Sequence, residues 1–447
     1  MVYKDKDDLF QKGIVKQKDN RIEIKDLEAF IGKIVDNLVD TIVLSDSDYI
    51  KGLCYMIVKE AAHQFNVILS SIHSLYEARA RDGLTHFTVP AINLRTLTYD
   101  KAKAVFRAAK KLDVGAFIFE IARSEMDYTK QEAQDYSSCI LLAAIKERYS
   151  GPVFIQGDHF QVKVRNFFQD REGEINQLRK LITDAIKTGF YNIDIDSSTL
   201  VDLSQRTIDK QQRFNYETCA ELTQFIRKLE PERIDISVGG EIGEVGGKNS
   251  TAGELRAFME GYNSLMKGHK GLSKISIQTG TTHGGVILPD GSISKVKIDF
   301  DTLKELSRIA REEFKMAGAV QHGASTLPKE AFNRFPEVEC VEIHLATQFQ
   351  NIVYDNLPLD LKDKMYAWLH KNYANEKKPQ ETENQFLYKT RKKALGRFKK
   401  DIHSLPLDLK DKISSILEKE FLFLFDRLNV KNTGKLVSKY IKPVYVE

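Results

Sequence analysis

The chain has 447 residues, 42% of them apolar, and can therefore bury a sizeable core. Its net charge of +4 is close to balanced and no run of about 18 apolar residues occurs, so we expect neither a nucleic-acid-binding chain nor a membrane partner. No signal peptide is recognised at the start of the chain, and the four cysteines form no Cys-x-x-Cys pair, which is typical of reduced thiols in the cytoplasm.

Residues 1–85 are predicted to form an N-terminal helical segment. Apolar residues recur at helical spacing over Leu27–Val43 and again over Tyr49–Ala80. We therefore expect helices in this segment and no strand of the barrel.

Residues 86–356 are predicted to form a (β/α)8 TIM barrel, which makes the fold class α/β with added N-terminal and C-terminal helical segments. Short apolar runs alternate with longer amphipathic stretches, the pattern of a parallel sheet wound with helices. Eight repeats favour closure into a barrel, and a doubly wound open sheet is the alternative. The eight runs are Phe87–Leu94, Ala116–Ala122, Val153–Gly157, Tyr191–Ile195, Ile234–Gly239, Lys274–Gln278, Ala319–Gln321 and Cys340–Leu345.

Residues 357–447 are predicted to form a basic helical extension with an internal repeat. The segment Leu357–Lys364 recurs as Leu405–Lys412, and in each copy a proline is placed to start a helix with an aspartate in its first turn. About 20 Lys and Arg face about 12 Asp and Glu in the extension, and the densest basic stretch is Lys389–Lys400. We interpret that stretch as a solvated helix face, with an anionic partner as the alternative.

Polar residues stand at the carboxyl ends of the predicted strands. In a barrel these ends open on one face, where active sites form. The residues are Asp158, His159, Asp194, Asp196, Glu241, His283, His322, His344 and Thr347.

Three of these residues, His159, His283 and His322, indicate a divalent metal. Three imidazoles suit zinc and leave a position for water or substrate, and Glu241 is placed to act as an alternative ligand. A single histidine is more often a hydrogen-bonded core residue, but each of these three stands beside or close to glycine at a strand end.

Other residues at the same face suit the remaining chemistry. Gly284, Gly323, Ser325 and Thr347 are placed to form a cradle for a phosphate group. Asp158 is placed to act as a general acid or base, with helix capping as the simpler interpretation. Asp194 and Asp196 point to one side of their strand, and Asp196 is expected to support a metal-bound histidine.

Five ordered motifs within residues 86–350 resemble those of the class II fructose-bisphosphate aldolases. They are Gly157–His159, Ile193–Ser198, Gly240–Gly247, Gly280–Gly284 and Gln321–Ser325. The resemblance implies that His159, His283 and His322 bind Zn²⁺ or another divalent metal. It also implies that Asp158 moves a proton at the ketose hydroxyl and that Glu241 lies near the metal.

The resemblance assigns the phosphate of dihydroxyacetone phosphate to a set of main-chain and polar groups, and it implies a homo-oligomer, commonly a dimer. The set comprises Gly284, Gly323, Ser325, Thr347 and Asn93. The implied activity is reversible aldol cleavage of a ketose phosphate such as fructose 1,6-bisphosphate, within glycolysis and carbohydrate metabolism.

The chain departs from the family pattern at several positions. Lys248 and Asn249 stand where the family carries a Glu-Glu pair that acts in proton transfer, and Ala122 stands where a serine is expected. His344-Leu-Ala-Thr347 replaces Asn-Ile-Asp-Thr, and His344 and Glu120 are candidates for the missing proton-transfer group. Two alternatives therefore stay open: another metal-dependent barrel lyase with a different carbonyl substrate, and a non-catalytic homologue.

Overall fold

The computed structural model describes residues 1–10, 13–18, 21–243, 248–280, 288 and 298–446. Strands in these ranges are β1 (Val15–Lys18), β2 (Arg21–Ile24), β3 (Val67–Ser70), β4 (Val89–Asn93), β5 (Ile118–Ala122), β6 (Gly151–Gln161), β7 (Asn192–Asp196), β8 (Ser237–Glu241), β9 (Lys274–Ile277), β10 (Ala319–Gln321) and β11 (Glu342–Leu345).

Helices surround and extend this sheet. They are α1 (Lys6–Phe10), α2 (Leu27–Lys33), α3 (Val35–Leu44), α4 (Asp48–Gln64), α5 (His73–Asp82), α6 (Thr98–Leu112), α7 (Arg123–Thr129), α8 (Ala133–Lys146), α9 (Val164–Gln169), α10 (Arg171–Lys187), α11 (Ile208–Leu229), α12 (Ala252–Met266), α13 (Phe300–Glu312), α14 (Arg334–Glu337), α15 (Thr347–Asn356), α16 (Leu359–Tyr373), α17 (Glu383–Thr390), α18 (Lys399–His403), α19 (Leu407–Arg427) and α20 (Gly434–Tyr440). Within the described ranges, no helix combines the length and apolar character needed to cross a bilayer.

Strands β4 to β11 form a closed parallel barrel. Neighbours pair in the order β6-β5-β4-β11-β10-β9-β8-β7, and β6 pairs with β7 to complete the circle. Every residue of β4, β5 and β7 is buried, as expected for strands packed between a barrel interior and a layer of helices. Each of the eight predicted apolar runs overlaps one of these strands, so the barrel prediction is confirmed and the open sheet is excluded.

The prediction of an entirely helical N-terminal segment is wrong in two places. Strands β1 and β2 form an antiparallel hairpin, and β3 pairs in parallel with the first residues of β6. Strand β3 interrupts the predicted helix Tyr49–Ala80. The backbone of its Val67-Ile-Leu run finds hydrogen-bond partners on the free edge of β6 outside the barrel, which favours a strand there. Helical spacing alone does not separate a short apolar strand from a helix.

The C-terminal extension is helical as predicted, and both copies of its repeat begin a helix in the same way. Pro358 caps α16 and Pro406 caps α19, each with extended backbone that leads directly into the first turn. Helix α19 packs along α6, where Arg107 binds Glu418 at 2.6 Å and the Ser414 hydroxyl at 2.7 Å. The extension is therefore fixed to the barrel rather than trailing from it.

The basic stretch Lys389–Lys400 is solvated in part, because Lys389, Lys392, Arg397 and Lys400 are exposed, but it does not form one continuous helix. The Arg391 guanidinium is buried between the rings of Tyr354 and Tyr388. Lys389, Lys393, Lys399 and Lys400 form ion pairs with Glu381, Glu376, Asp135 and Asp46 respectively. Most of these cations tie the extension to itself or to the barrel.

Candidate active site

A cavity of ≈ 270 Å³ opens at the carboxyl ends of the barrel strands. It collects most of the residues that the sequence singled out and that the structure describes. These are Asn93, Asp158, His159, His322, Gly323, Ser325, His344 and Thr347. His283 and Gly284 lie outside the described residues.

A bulge in β6 directs His159 toward this cavity. The pairing of β6 with β7 shifts register between Gly157 and Phe160. Asp158 and His159 therefore lie within the strand, whereas the sequence had placed them after its end. His159 has φ +40°, a left-handed conformation that is costly for a non-glycine residue and is concentrated at functional sites. Gly157 is required beside it, since a Cβ there would lie 2.4 Å from the Phe160 ring.

Asp196 and Glu241 orient the His159 ring. The Nδ1 atom lies 3.1 Å from Asp196 Oδ2 and 3.3 Å from Glu241 Oε2. Asp196 is itself held by Gln161 Nε2 at 2.5 Å and by the Ser198 hydroxyl at 2.7 Å. A proton on Nδ1 shared with Asp196 leaves the Nε2 lone pair for a metal, the usual arrangement of a carboxylate behind a metal-bound histidine.

The residues fit a divalent metal between β6, β8 and β10. One ligand atom each from His159, Glu241 and His322 all lie within 4.8 Å of one another, and the two imidazole rings are 4.3 Å apart. Burial, together with the neighbouring Asp196, raises the pKa of Glu241 to about 7. Burial would lower the pKa of His159, but Asp158 and Glu241 outweigh it and raise that pKa above its ordinary value. A cation between these groups would relieve the carboxylate repulsion.

Asp158 lies among the three imidazoles that the structure describes at the barrel mouth. Its Oδ1 is 3.8 Å from His159 Nε2, 3.9 Å from His322 Nε2 and 3.2 Å from His344 Nδ1. A carboxylate at this point is positioned to exchange a proton with a substrate held at the metal.

His344 occupies the position next to Asp158, but it fits a metal poorly. Its Nδ1 lies 2.9 Å from Glu120 Oε2, and its Nε2 lies 2.8 Å from Glu342 Oε1. Burial would lower the pKa of His344, but Glu120 and Asp158 outweigh it and raise that pKa above its ordinary value. Both ring nitrogens already face carboxylate oxygens. The alternative ligand group of Asp158, His322 and His344 is therefore disfavoured.

Sequence reasoning missed an ion network that fills the barrel below the site. Lys274 Nζ donates to Glu342 Oε1 at 2.5 Å and to Gln156 Oε1 at 2.7 Å, and it pairs with Asp194 Oδ2 at 2.9 Å. Tyr76 donates to the second oxygen of Glu342. Asp194 therefore binds Lys274 and not His159. The signal in the sequence was a lysine and a glutamate inside runs predicted to be buried.

The network supplies its own positive charge. Burial alone would raise the pKa of Glu342, but Lys274 and His344 outweigh it and hold that pKa well below its usual range. Burial raises the pKa of Asp194 to about 6 and, with the Asp158 charge, raises that of Glu120 to about 8. Gly239 makes room for this arrangement, because a Cβ there would lie 2.3 Å from Asp194 Oδ1.

The predicted phosphate residues lie together between β10 and β11. The Ser325 hydroxyl accepts from the main-chain N–H of Ala346 at 2.8 Å and of Thr347 at 3.2 Å, which links the two strand ends. Gly323 has φ +69° and begins the turn that carries Ser325. Asn93 lines the same cavity and donates to Glu125 at 2.6 Å.

Sequence reasoning also missed a cationic side of the cavity, formed by Arg95, Arg123, Lys163 and Lys392. Arg95 is held by Glu125 at 2.7 Å and by Gln350 at 3.1 Å. Lys392 comes from the C-terminal extension, in the 3-10 turn Arg391–Ala394 that packs on α7. Partial burial in the cleft and the positive charge of the nearby Arg95 lower the pKa of Lys392. Such a cluster of cations favours an anionic group at this side.

Comparison with known proteins gives one family and one fold. The family described as "Fructose-bisphosphate aldolase class-II" matches residues 76–405, which include the barrel and the first part of the extension. The YdjI aldolase from Escherichia coli K12 is 14% identical, with a TM-score of 0.50 over 82% of this chain and 100% of that one. Fructose-bisphosphate aldolase (Fba) from Campylobacter jejuni is 17% identical, with a TM-score of 0.50 over 82% and 97%. The curated protein sequences contain no match.

Proposed function

Because this chain belongs to the class II fructose-bisphosphate aldolase family, we propose that it cleaves a ketose phosphate reversibly and depends on a divalent metal. The proposed substrate is fructose 1,6-bisphosphate or a relative, and the products are dihydroxyacetone phosphate and an aldehyde phosphate. The observation that carries the proposal is the convergence of His159, Glu241 and His322 at the barrel mouth beside Asp158.

His159 and His322 are the proposed metal ligands, with His283 as the third imidazole and Glu241 as an alternative ligand. Zinc is the proposed metal, because imidazole nitrogens with an open position suit it. When bound, the metal supplies a Lewis acid that polarises the ketose carbonyl. Asp196 fixes the His159 ring, with 3.1 Å between Oδ2 and Nδ1.

Asp158 is the proposed proton-transfer group at the ketose hydroxyl. Its Oδ1 lies under 4 Å from the rings of His159, His322 and His344, so the carboxylate is held at the centre of the site. Asn249, in the loop where the family places a proton-transfer glutamate, instead binds Asp299 at 2.9 Å.

The two ends of the cavity suit a substrate with two anionic groups. Gly323, Ser325 and Thr347, with Asn93, are proposed to hold the phosphate of the dihydroxyacetone half. Arg95 and Lys392 are proposed to bind the anionic group of the aldehyde half, because two cations placed close together favour a dianion. This assignment follows from their positions around one cavity.

The experiment is cleavage of fructose 1,6-bisphosphate with the triose products trapped, before and after chelation. We expect activity to disappear with the chelator and to return with Zn²⁺ but not with buffer alone. A zinc-loaded protein without turnover on this sugar would remove the substrate assignment. It would leave other ketose phosphates, and then a non-catalytic role, to be tested.

A second candidate is a metal-dependent lyase with a different carbonyl substrate on the same barrel. Ala122 and His344 line the cavity in place of the serine and asparagine of the family pattern, and this observation favours it. Turnover of other aldehyde acceptors in preference to glyceraldehyde 3-phosphate would support it.

We also propose a cytoplasmic homo-oligomer that acts in carbohydrate metabolism, and light scattering of the purified protein tests the oligomeric state.

A further inference from the structure

A second cavity, which we call the tail cavity, is lined by α4, β3, α8, the end of α10 and the C-terminal residues Val444–Val446. Its volume of ≈ 490 Å³ is within the roughly 300–1,000 Å³ of typical small-molecule sites. The turn that leads into β7 also lines it, so the cavity lies beside the amino-terminal end of that strand. Among the described residues, none lines both this cavity and the one at the barrel mouth.

Most of the wall of the tail cavity is apolar. Strand β3 contributes Val67, Ile68 and Leu69, and within the described ranges no strand pairs with the edge of β3 that faces away from β6. Helices α4, α8 and α10 add Val58, Ala62, Leu141 and Ile186. Such a wall suits a hydrocarbon chain, because each CH₂ group that leaves water for an apolar surface favours binding.

The turn between α10 and β7 is fixed against this wall. Gly189 has φ +88°, and a Cβ there would lie 2.1 Å from Leu69 Cδ1, so only glycine lets the turn pack this closely on β3. The Ser137 hydroxyl on α8 donates to Thr188 O at 2.8 Å. Three neighbouring elements are therefore joined around the cavity, as expected for a site that is formed before its ligand binds.

The C-terminal residues form one side of the tail cavity. The Tyr445 ring stacks on His63 of α4, with 3.8 Å between the ring centroids and 24° between the ring planes. Val444 and Val446 line the cavity on either side of Tyr445 in the sequence. A ligand in the cavity would therefore lie against this C-terminal segment.

The charged side chains of the tail cavity are cationic. Its lining includes Lys59 and Lys187 and contains no Asp or Glu among the described residues. Both lysines are exposed, and neither forms an ion pair with a described carboxylate. In contrast, Lys180 on the same helix as Lys187 binds Asp184 at 2.6 Å. Two ammonium groups beside an apolar wall favour a ligand that joins a hydrocarbon chain to an anion.

We propose that the tail cavity binds a medium-chain fatty acid. The hydrocarbon chain would lie on β3 and α8, and the carboxylate would bind Lys59 or Lys187. A neutral lipid would leave both lysines without a partner, and a small polar anion would leave the apolar wall in contact with water. The proposal is independent of the proposed aldolase function, because the two sites have no described lining residue in common.

The test is isothermal titration calorimetry of the full-length, zinc-loaded protein with octanoate, 1-octanol and acetate. We expect octanoate to bind saturably with one equivalent per chain. The alcohol keeps the hydrocarbon chain and loses the charge, so it should bind about tenfold more weakly. Acetate keeps the charge and loses the chain, so it should show no saturable binding.

Matched variants locate the binding site. At least one of Lys59→Ala and Lys187→Ala should weaken octanoate binding about tenfold, the effect of losing one charged hydrogen bond. Lys180→Ala is the control, because this lysine lies on the same helix as Lys187, is paired with Asp184 and does not line the cavity. Ala62→Trp fills the cavity with an indole ring and should abolish binding. Thermal unfolding checks that each variant is folded, and the lysine variants decide the outcome where Ala62→Trp does not fold.

Three results would overturn the proposal. The first is the absence of saturable octanoate binding. The second is binding of 1-octanol as tight as that of octanoate, because the lysines would then play no part. The third is an equal effect of Lys180→Ala and the two cavity lysine variants, since octanoate would then bind elsewhere or through general charge. Calorimetry does not depend on turnover, so each result stands whether or not the protein cleaves fructose 1,6-bisphosphate.

Discussion

The two sides of the barrel mouth are built in different ways. The proposed metal side consists of His159, Glu241 and His322, which lie at or beside the ends of β6, β8 and β10. The cationic side consists of Arg95, Arg123, Lys163 and Lys392, and its last member comes from the C-terminal extension. The metal side therefore stands on the rigid barrel, whereas part of the cationic side depends on how a later segment docks.

This difference indicates a division of labour. Groups that must hold a metal within a few tenths of an ångström are best placed on strands, since their supporting contacts are fixed by the sheet. Groups that select among substrates can be carried by added segments, which change without disturbing the chemistry. The comparison predicts loss of reaction from changes on the metal side and altered substrate preference from changes on the cationic side.

The largest expected effect is that of His322→Ala on the metal side. Loss of one imidazole should remove bound zinc and lower turnover by about a thousandfold or more, since a Lewis acid supplies several kcal/mol to the reaction. Metal content and kcat are measured on the same sample. A variant that keeps full metal content and full turnover would contradict the proposed role of His322 as a metal ligand.

Asp158→Asn should leave the metal in place and still slow the reaction. The amide cannot exchange a proton as the carboxylate does, so kcat should fall by about 10²- to 10⁴-fold. Metal analysis serves as the control, because zinc content should match that of the unaltered protein. Loss of metal together with turnover would instead assign Asp158 to metal binding.

Lys392→Ala tests the cationic side. KM for fructose 1,6-bisphosphate should rise about tenfold with a smaller change in kcat, because one charge contact to the substrate is removed. Condensation of dihydroxyacetone phosphate with unphosphorylated glyceraldehyde should change little. Lys400→Ala is the matched control and should behave as the unaltered protein, and equal effects in the two variants would contradict a specific role for Lys392.

The smallest expected effect concerns the docking of the extension. Burial alone would raise the pKa of Asp40, but hydrogen bonds from His403 and the N-terminal ammonium outweigh it and hold that pKa at about 2, below its ordinary 3.8. A lowered carboxyl pKa stabilises the fold above the ordinary value and loses that contribution as the pH falls toward the folded value. Asp40→Asn should therefore cost less than about 1 kcal/mol at pH 5, because the pair is partly exposed.

Chemical denaturation at two pH values checks this prediction. The difference in unfolding free energy between Asp40→Asn and the unaltered protein should be smaller at pH 3 than at pH 5. A difference that grows on acidification would show that the carboxylate does not stabilise the docked extension.

The barrel, and the position of most candidate site residues at its mouth, were predictable from the sequence because their signals are local. Each strand is a short apolar run, and Asp158, His159 and His322 stand within a few residues of such a run. The left-handed φ of His159 and the bulge at Gly157 were not predictable, because they arise from the pairing of β6 with β7. Strand β3 was missed since it depends on an edge that only the folded β6 provides.

The cationic side and the ion network could not be predicted, because they join residues far apart in the chain. Arg95 and Lys392 meet only when α7 and the 3-10 turn of the extension pack together. Lys274 and Glu342 are single charged residues in apolar runs, and nothing in the sequence indicates that Lys274 pairs with both Glu342 and Asp194 inside the closed barrel. The buried position of Arg391, over the rings of Tyr354 and Tyr388, could not be predicted for the same reason.

The proposed metal site is tested most directly by anomalous diffraction at the zinc edge from crystals of the zinc-loaded protein. We expect one strong peak within bonding distance of His159 and His322, close to Glu241. A peak among Asp158, His322 and His344, or no peak at the barrel mouth, would contradict it.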